Sequence, residues 1–139
     1  MEIKVRYIRE VMLLEQKGDW IDLRCGMDIY MTKGQYMAIP LGVAIELPKG
    51  YEAIVAPRSS TFKNYGILMC NSIGVIDEAY CGNTDEWRFP AYATDNCYIP
   101  INARIAQFRI IEHQPEVELR AVDFLGNADR GGLGSTGRF

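Results

Sequence analysis

The chain has 139 residues, with 15 lysines and arginines against 18 aspartates and glutamates and a formal net charge of −3. That length predicts one domain with its own core, and the slightly acidic balance excludes a broad basic surface for a nucleic-acid polymer, although a few arginines can still hold a small anion. No apolar run approaches the ~20 residues of a membrane span, so we expect a soluble cytoplasmic protein with no membrane partner.

The cysteines predict neither a zinc site nor a disulfide framework. Cys25, Cys70, Cys81 and Cys97 form no Cys-x-x-Cys pair, and the single histidine, His113, has no cysteine or carboxylate at a zinc-binding spacing. We expect reduced thiols that act as small apolar residues.

The first acid of interest is Asp28, in "CGMDIYM" at residues 25–31. It follows Gly26 and lies between apolar residues that would occupy a strand. An aspartate in this context is most often part of a turn. The alternative is an oxygen ligand, direct or through water, for a Mg²⁺ ion carried by phosphates.

Four stretches rich in isoleucine, valine and tyrosine end at turn signals and predict strands. They cover residues 35–47, with an irregularity at Pro40, and residues 51–56, 68–75 and 98–111. Helical periodicity is weak outside one segment, so the pattern predicts a mainly β domain of the sandwich or barrel type.

The exception is "PRSSTFKNYGI", residues 57–67, which predicts one short helix of about two turns. Ser59 and Ser60 stand where an N-cap is expected, and Gly66 where a helix ends. Arg58, with the two hydroxyls and the free backbone N–H groups of a helix start, could bind a phosphate oxygen. A capped helix with a surface arginine is the alternative.

A carboxylate, Asp77, ends an apolar run in "NSIGVIDEAYCGN", residues 71–83, and lies three residues before Tyr80. Asn71 and Gly74 suggest a hairpin whose exposed backbone groups could pair with a flat ligand edge. A single acid in such a turn is more often structural than catalytic, so the role of Asp77 depends on what lies opposite it.

Two later segments carry polar groups of interest. In "INARIAQFRII", alternation places Gln107 on the same face as Ile101, Ala103 and Ile105, where a buried amide would need backbone partners or a ligand. The last eleven residues, "DRGGLGSTGRF", contain four glycines, two hydroxyls and two arginines, a composition that suits either an anion-binding lid or a frayed tail.

Taken in order, five segments resemble the five motifs of the trimeric dUTP diphosphatase (dUTPase) family, particularly its phage-like branch. They are "CGMDIYM" with Asp28, "APRSS" at 56–60, "NSIGVIDEAYCG" at 71–82, "RIAQ" at 104–107 and "RGGLGSTG" at 130–137. One such motif is weak evidence, whereas five in the family's order are specific.

The resemblance implies a distorted jelly-roll or β-barrel-like protomer of residues 1–139, with residues 126–139 as a flexible glycine-rich arm. It implies a homotrimer with sites at the subunit interfaces and Mg²⁺-dependent hydrolysis of dUTP to dUMP and pyrophosphate. Asp77 would activate the attacking water, and Asp28 would hold Mg²⁺ through water. The implied substrate contacts are Arg58, Ser59, Ser60, Asn71, Gly74, Ile76, Tyr80, Gln107, Arg130, Leu133, Gly134, Ser135 and Thr136.

Within that set, Tyr80 would pack under the deoxyribose and exclude a 2′-hydroxyl. Asn71 would lie at the hairpin that contacts the uracil edge. Arg58, Ser59 and Gln107 would contact phosphates, with Ser59 near the bridge between the α and β phosphorus atoms. Arg130, Ser135 and Thr136 of the arm would bind the outer phosphates, and Leu133 would cover the base.

The chain departs from the family's pattern at three places. Leu133 replaces the usual aromatic that covers the uracil, Cys81 replaces an arginine, and the loop predicted at residues 83–96 is long and aromatic. We expect Trp87 and Tyr92 of that loop to pack at the trimer contact.

Two alternatives accompany the diphosphatase prediction. A dCTP deaminase, or a bifunctional enzyme of the same superfamily, would need a glutamate base near a histidine, and His113 is expected to lie elsewhere. The second alternative is an added regulatory role, in which the exposed loop around Trp87 binds a repressor protein.

Overall fold

The computed structural model describes all 139 residues, and it is built almost entirely of short β-strands. The predicted mainly β, jelly-roll-like protomer with one short helix is confirmed. The elements in chain order are β1 (Lys4–Tyr7), β2 (Ile21–Arg24), β3 (Ile29–Met31), β4 (Tyr36–Pro40), β5 (Val43–Glu46), β6 (Tyr51–Pro57), α1 (Thr61–Tyr65), β7 (Ile67–Met69), β8 (Gly74–Ile76), β9 (Arg88–Ala93), β10 (Cys97–Ile99) and β11 (Arg104–Glu112).

All strand pairs are antiparallel, and they form four small sheets. The largest has the order β2-β11-β6-β8; it contains Gly74, Ile76 and Gln107 of the predicted site, and Arg58 and Asp77 directly follow two of its strands. A second sheet has the order β4-β9-β7, and two-stranded pairs join β1 to β5 and β10 to β3. Nearly every contact between strands is therefore made by residues far apart in the sequence.

The sheets enclose one core of 21 buried apolar residues. Trp87 and Phe108 lie at its centre, with ring centroids 5.1 Å apart in an edge-to-face arrangement, and both are almost fully buried. Leu23, Val55 and Phe108 point inward from the largest sheet. Asp22 and Gln107, which neighbour Leu23 and Phe108 along their strands, are only half buried and lie on its other face.

Three of the four predicted strands are interrupted. The stretch 35–47 divides into β4 and β5 at Leu41 and Gly42. Gly42 has φ +76°, and a Cβ there would lie 2.9 Å from the Val11 side chain, so only glycine fits this corner. The prediction for 51–56 is correct to within one residue.

The hairpin predicted around Asn71 is wrong. The stretch 68–75 contains two strands, β7 and β8, which belong to different sheets. Ser72, with φ +62°, turns the chain between them, and β8 pairs with β6 instead. The last predicted strand, 98–111, likewise divides into β10 and β11 at a turn containing Asn102, with φ +71°.

The loop predicted at residues 83–96 is also wrong in its central part. Residues 88–93 form β9, which lies in the middle of its sheet between β4 and β7. Trp87 is 1% exposed and belongs to the core of its own chain, so it is neither a trimer contact nor part of an exposed loop. Tyr92 is exposed.

The helix is shorter than predicted, at five residues, but it ends where expected because Gly66 adopts the left-handed conformation, with φ +66°. Ser60 occupies the N-cap without a side-chain capping bond. The side-chain hydrogen bonds at the start of the helix come from Thr61 instead. Its hydroxyl accepts from the Arg58 N–H at 2.9 Å and donates to the Ile105 carbonyl oxygen at 2.7 Å. No helix in the structure has the length and apolar character required to traverse a lipid bilayer.

The cysteines divide into two groups. Cys25 is buried in the core, and burial raises the pKa of its thiol to about 11, as expected for a small apolar residue. Cys97 is half buried, and burial raises its pKa as well. Cys70 and Cys81 are exposed, so the apolar interpretation is wrong for those two.

Candidate active site

Asp77 lies immediately after β8, in a tight turn. Its Oδ1 accepts the backbone N–H of Ala79 at 2.7 Å, and its carbonyl accepts the N–H of Tyr80 at 3.0 Å. The side chain is exposed, and Oδ2 accepts no hydrogen bond from the protein. The turn thus fixes the carboxylate by one oxygen and leaves the other available to a water molecule.

Tyr80 shares a pocket with Asp77. The pocket has a volume of about 270 Å³, and its lining also includes Ile76, Glu86 and Trp87. The Tyr80 hydroxyl donates to the Glu86 carbonyl oxygen at 3.0 Å, which holds the ring at the start of the segment that leads into β9. The structure therefore places the predicted acid and the predicted aromatic ring beside one pocket.

Trp87, one of the residues that line this pocket, carries a polar atom in the core that the sequence did not indicate. Its Nε1 is buried and has no hydrogen-bond partner, the one such side-chain atom in the structure. Buried donors without partners are uncommon in folded proteins and mark places where a ligand or water completes the bonding.

A carboxylate that sequence analysis missed holds the same segment in place. Glu86 is 5% exposed, and its side chain accepts from Arg9 Nε at 2.8 Å and from the Gly42 N–H at 2.9 Å. Hydrogen bonding to Glu86 raises the pKa of Arg9 above its usual value. The only sequence signal was an acid directly before an apolar run.

The predicted phosphate contacts form a second group, at the end of β6. Arg58 follows that strand and is half buried, with its Nε 2.9 Å from Asp22 Oδ1 and its Nη1 3.4 Å from the Arg104 carbonyl oxygen. Ser59 is exposed and Ser60 half buried, and neither side chain makes a hydrogen bond within the protein. Their hydroxyls are therefore free to meet an anion beside the guanidinium.

Gln107 belongs to this second group, although its predicted face is wrong. The register between β2 and β11 shifts between Arg104 and Ala106, and this irregularity buries Ile105 together with Ala106. Gln107 therefore lies on the opposite face from Ala106 and Phe108. Its amide donates to the Pro57 carbonyl oxygen at 3.2 Å, next to Arg58.

Asp28 lies in the turn before β3, beside the segment that leads into β11. Its Oδ1 accepts from the Ile101 N–H at 2.9 Å and from the Tyr98 hydroxyl at 3.2 Å. Partial burial and the Asp28 charge raise the pKa of Tyr98. Because both hydrogen bonds go to Oδ1, the Oδ2 atom of Asp28 has no hydrogen-bond partner within the protein.

The donor set suits a magnesium ion that a ligand brings with it. No three carboxylate, histidine or cysteine side chains lie close enough together to hold a metal ion by themselves. Mg²⁺ usually keeps several waters and binds through one or two carboxylates together with phosphate oxygens, and Asp28 fits such a role.

The two groups lie at opposite ends of β6 in a single chain. Ile76, next to Asp77, pairs with Ala53, whereas Arg58 follows Pro57 at the far end. The five residue-to-residue steps from Ala53 to Arg58 span roughly 16 Å at about 3.3 Å per step. At that separation we expect Asp77 and Arg58, the arginine predicted to bind phosphate, not to reach adjacent atoms of one triphosphate within one chain.

Of the remaining predicted contacts, Gly74 is half buried and the others are exposed. Asn71 lies in the turn before β8, and Gly74 pairs with Val55, where a Cβ on Gly74 would lie 3.2 Å from the Val55 side chain. Residues 113–139 form no helix or strand and are exposed throughout. Within their last part, Arg130, Leu133, Gly134, Ser135 and Thr136 surround a local concavity of about 280 Å³ that touches none of the other site residues.

His113 lies closer to the acid than predicted. Its Nε2 is 2.9 Å from the Tyr51 carbonyl oxygen and 3.6 Å from a Glu78 carboxylate oxygen, one residue after Asp77. The expectation that His113 lies elsewhere is therefore wrong.

Comparison with known proteins shows similarity to dUTPases. The dUTPase family model matches residues 17–137. A SPbeta prophage-derived deoxyuridine 5′-triphosphate nucleotidohydrolase of Bacillus subtilis (strain 168) is 54% identical over 140 residues, covering 99% of each chain. A deoxyuridine 5′-triphosphate nucleotidohydrolase of Gloeothece citriformis (strain PCC 7424) is 30% identical over 143 residues, covering 99% of this chain and 97% of the relative.

Two solved structures share the fold at low sequence identity. A mutant dUTPase from phage phi11 of Staphylococcus aureus, described with a structural Mg(II) ion, has a TM-score of 0.76 at 16% identity, covering 89% of this chain and 98% of that one. The dUTPase of Staphylococcus bacteriophage 80alpha has a TM-score of 0.74 at 16% identity, covering 91% and 99%. Since the family model spans most of the sequence and a relative of more than half identity matches its whole length, the chain belongs to the dUTPase family.

Proposed function

We propose that the protein hydrolyses dUTP to dUMP and pyrophosphate, with Asp77 as the base and Tyr80 as the residue that excludes ribose. Family membership supports the reaction. The observation that carries the residue assignment is the shared pocket of Asp77 and Tyr80, where one carboxylate oxygen is fixed by the turn and the other is free. We place the activity in the cytoplasm.

In this reaction Asp77 orients a water and takes its proton as the water oxygen bonds to the α phosphorus. The bond from that phosphorus to the bridging oxygen breaks, and pyrophosphate leaves. A positioned general base typically contributes about 10²- to 10⁴-fold to the rate, and positioning of the reacting groups contributes much of the rest. Tyr80, held by its bond to the Glu86 carbonyl, packs under the deoxyribose and leaves no room for a 2′-hydroxyl.

The phosphates are bound by Arg58, Ser59, Ser60 and Gln107, and their outer part by Arg130, Ser135 and Thr136. Bound Mg²⁺, held by Asp28 through water, would neutralise part of the triphosphate charge. Asn71, Gly74 and Ile76 lie along the uracil edge, and Leu133 and Gly134 of the arm cover the base. Leucine lacks the stacking of an aromatic ring, which weakens the cover by about 0.5–1.5 kcal/mol.

The experiment is a pyrophosphate-release assay on dUTP, dCTP and UTP with Mg²⁺, run with an ammonia assay on dCTP. We expect pyrophosphate from dUTP alone and no ammonia. Equal turnover of the three nucleotides would refute the specificity. Ammonia from dCTP would instead favour the deaminase, whose histidine and glutamate would then be His113 and Glu78.

The site is completed between copies of the chain, and we propose a homotrimer. The support is the roughly 16 Å that separates the acid from the phosphate-binding end of one β6 strand. In a cyclic trimer, one surface of each copy contacts a different surface of the next copy. The Asp77 end of β6 in one copy can therefore meet the Arg58 end of β6 in its neighbour. Residues 126–139 act as a flexible arm that closes over the site of another copy.

Complementation tests this arrangement. Asp77→Asn and Arg58→Ala chains are each expected to be inactive, and the two are unfolded and refolded together at equal amounts. Random assembly gives a site with Asp77 from one parent and Arg58 from the other in about one quarter of cases, so about a quarter of the activity should return. If each chain held a complete site, the mixture would stay inactive; light scattering measures the copy number.

A regulatory protein partner is a second proposed role. The phage 80alpha dUTPase is described as controlling transfer of virulence genes by a G protein-like mechanism. Since Trp87 is buried, the surface that motivates a partner here is the exposed cross-strand pair of Tyr36 and Tyr92. The test is a pull-down with the wild type and with Tyr92→Ala, each with and without a dUTP analogue. We expect capture of a partner protein whose binding depends on Tyr92 or on the nucleotide. No captured protein, with or without the analogue, would rule out this role.

A further inference from the structure

We propose that Asp22 is a positioning residue that holds the Arg58 guanidinium in its phosphate-binding orientation. Asp22 belongs to β2, whose Leu23 is fully buried, so the Asp22 side chain lies on the other face of the sheet. Its Oδ1 is 2.9 Å from Arg58 Nε, and its Oδ2 is 3.3 Å from Arg104 Nη1. One carboxylate thus lies between two arginines.

The strand register places this contact beside the other phosphate-binding residue. Asp22 pairs with Gln107 across β2 and β11, and Gln107 pairs with Ala56 across β11 and β6. The Gln107 amide donates to the Pro57 carbonyl, one residue before Arg58. The Asp22 carboxylate, the Gln107 amide and the Arg58 guanidinium therefore form a row across the adjacent strands β2, β11 and β6. The rigid backbone of these strands fixes the spacing of the three groups.

The chemistry of the contact favours positioning over mere charge pairing. An arginine has five N–H donors in a planar fork. Asp22 takes the Nε donor, the Arg104 carbonyl lies 3.4 Å from Nη1, and Nη2 donates to no protein atom. A guanidinium held by its Nε edge keeps its outer edge for a phosphate and loses less conformational freedom when the phosphate binds.

The charge balance permits an acid at this place. Asp22 carries one negative charge, and Arg58 and Arg104 carry two positive charges, so the cluster remains attractive to a triphosphate. Asp22 could instead compete with phosphate for Arg58, and such a competitor predicts the reverse effect on nucleotide binding when Asp22 is removed. Removing a competitor would tighten nucleotide binding, whereas removing an anchor would weaken it.

This inference rests on the proposed function, and it is tested with Asp22→Ala, Asp22→Asn and Arg58→Lys, alone and combined. Lysine has no Nε–H edge for Asp22 to hold, so Arg58→Lys removes the anchored group while keeping the charge. The pair is about one-third exposed on each side, so we expect Asp22→Ala to lower kcat/KM for dUTP by about 3- to 30-fold, mainly through KM. Asp22→Asn keeps an acceptor oxygen and should lose less.

The double variant separates positioning from a general structural effect. In the Arg58→Lys background, Asp22→Ala should change kcat/KM by less than about 2-fold, because the contact is already gone. The matched control is Asp19→Ala, which removes the exposed Asp19–Arg109 pair without touching Arg58 and should behave as the wild type. The same factor in both backgrounds, or an unchanged or raised kcat/KM in Asp22→Ala, would overturn the inference.

Binding is measured in parallel, by calorimetry with α,β-imido-dUTP and Mg²⁺. We expect Asp22→Ala to weaken binding of the analogue in the wild-type background only. A wild type that binds the analogue but cleaves no dUTP would sink the proposed reaction and leave this comparison intact. Equal or tighter analogue binding by Asp22→Ala would overturn the positioning role whatever the reaction.

Discussion

Glu86 offers the sharpest test of how the pocket is held together, because its buried carboxylate connects three parts of the chain. It accepts from Arg9 Nε at 2.8 Å, from Arg9 Nη2 at 3.2 Å and from the Gly42 N–H at 2.9 Å. Arg88 Nη2 lies 3.4 Å from Glu86 Oε1, the oxygen that also accepts from Arg9 Nη2. Replacing Glu86 with alanine removes all of these bonds while leaving its backbone in place.

The cost can be worked out from these contacts. The Gly42 N–H is buried and would lose its only acceptor, which costs about 1–3 kcal/mol. Arg9 would lose a bidentate partner, but its side chain is 35% exposed, so water replaces part of the interaction and the loss falls to roughly 1–2 kcal/mol. The free energy of unfolding should therefore fall by roughly 2–5 kcal/mol, which corresponds to a melting temperature lower by about 6–20 °C in a domain of this size.

Thermal unfolding followed by circular dichroism, at one fixed protein concentration, measures the change. Glu86→Gln retains an acceptor oxygen and should lose clearly less than Glu86→Ala. Lys4→Ala is the control, since it removes an ion pair with Glu46 at the surface and should leave the melting temperature unchanged. A Glu86→Ala melting temperature within about 2 °C of the wild type would show that the buried pair contributes no net stability.

Two further predictions concern the pocket itself. Asp77→Asn keeps the oxygen that accepts the Ala79 N–H, so the turn should persist while kcat for dUTP falls by about 10²- to 10⁴-fold. The control is binding of α,β-imido-dUTP, measured by calorimetry, which should be unchanged. A kcat within 10-fold of wild type would contradict the role of Asp77 as the base. Tyr80→Ala should chiefly raise the ratio of UTP to dUTP turnover, by about 10- to 200-fold from loss of one steric contact, and an unchanged ratio in competition assays would contradict sugar exclusion.

The chemical groups of the site were predictable from the sequence because their residue types are unusual for their setting. An acid at the end of an apolar run, with a tyrosine three residues later, predicted Asp77 and Tyr80 together, and the structure places both in one pocket. An arginine followed by two serines predicted the end of β6 with its short helix. Local spacing singled out these residues, whereas their roles came from the resemblance of five segments to the dUTPase motifs.

The strand boundaries and the supporting residues were not predictable in the same way. The turns at Ser72 and Asn102 place non-glycine residues at positive φ, and Pro100, which begins the second turn, lies within an apolar run that favoured one continuous strand. Glu86 and Trp87 are buried because β9 lies in the middle of a sheet formed with β4 and β7, which are distant in the chain. Burial that depends on such pairing leaves no local pattern, and a charged residue before an aromatic one therefore resembled a surface loop.

The distance between Asp77 and Arg58 was also beyond the reach of the sequence, and it links assembly to catalysis. Between the two ends of β6, the outer face of the sheet carries the cross-strand pair of Ile54 and Val75, and Val75 is 60% exposed. In the proposed trimer, covering this apolar stretch would stabilise the contact at about 25 cal/mol per Å² of apolar surface buried. The same contact would bring the acid of one copy to the phosphate-binding row of the next, so the burial that drives assembly would also complete the active site.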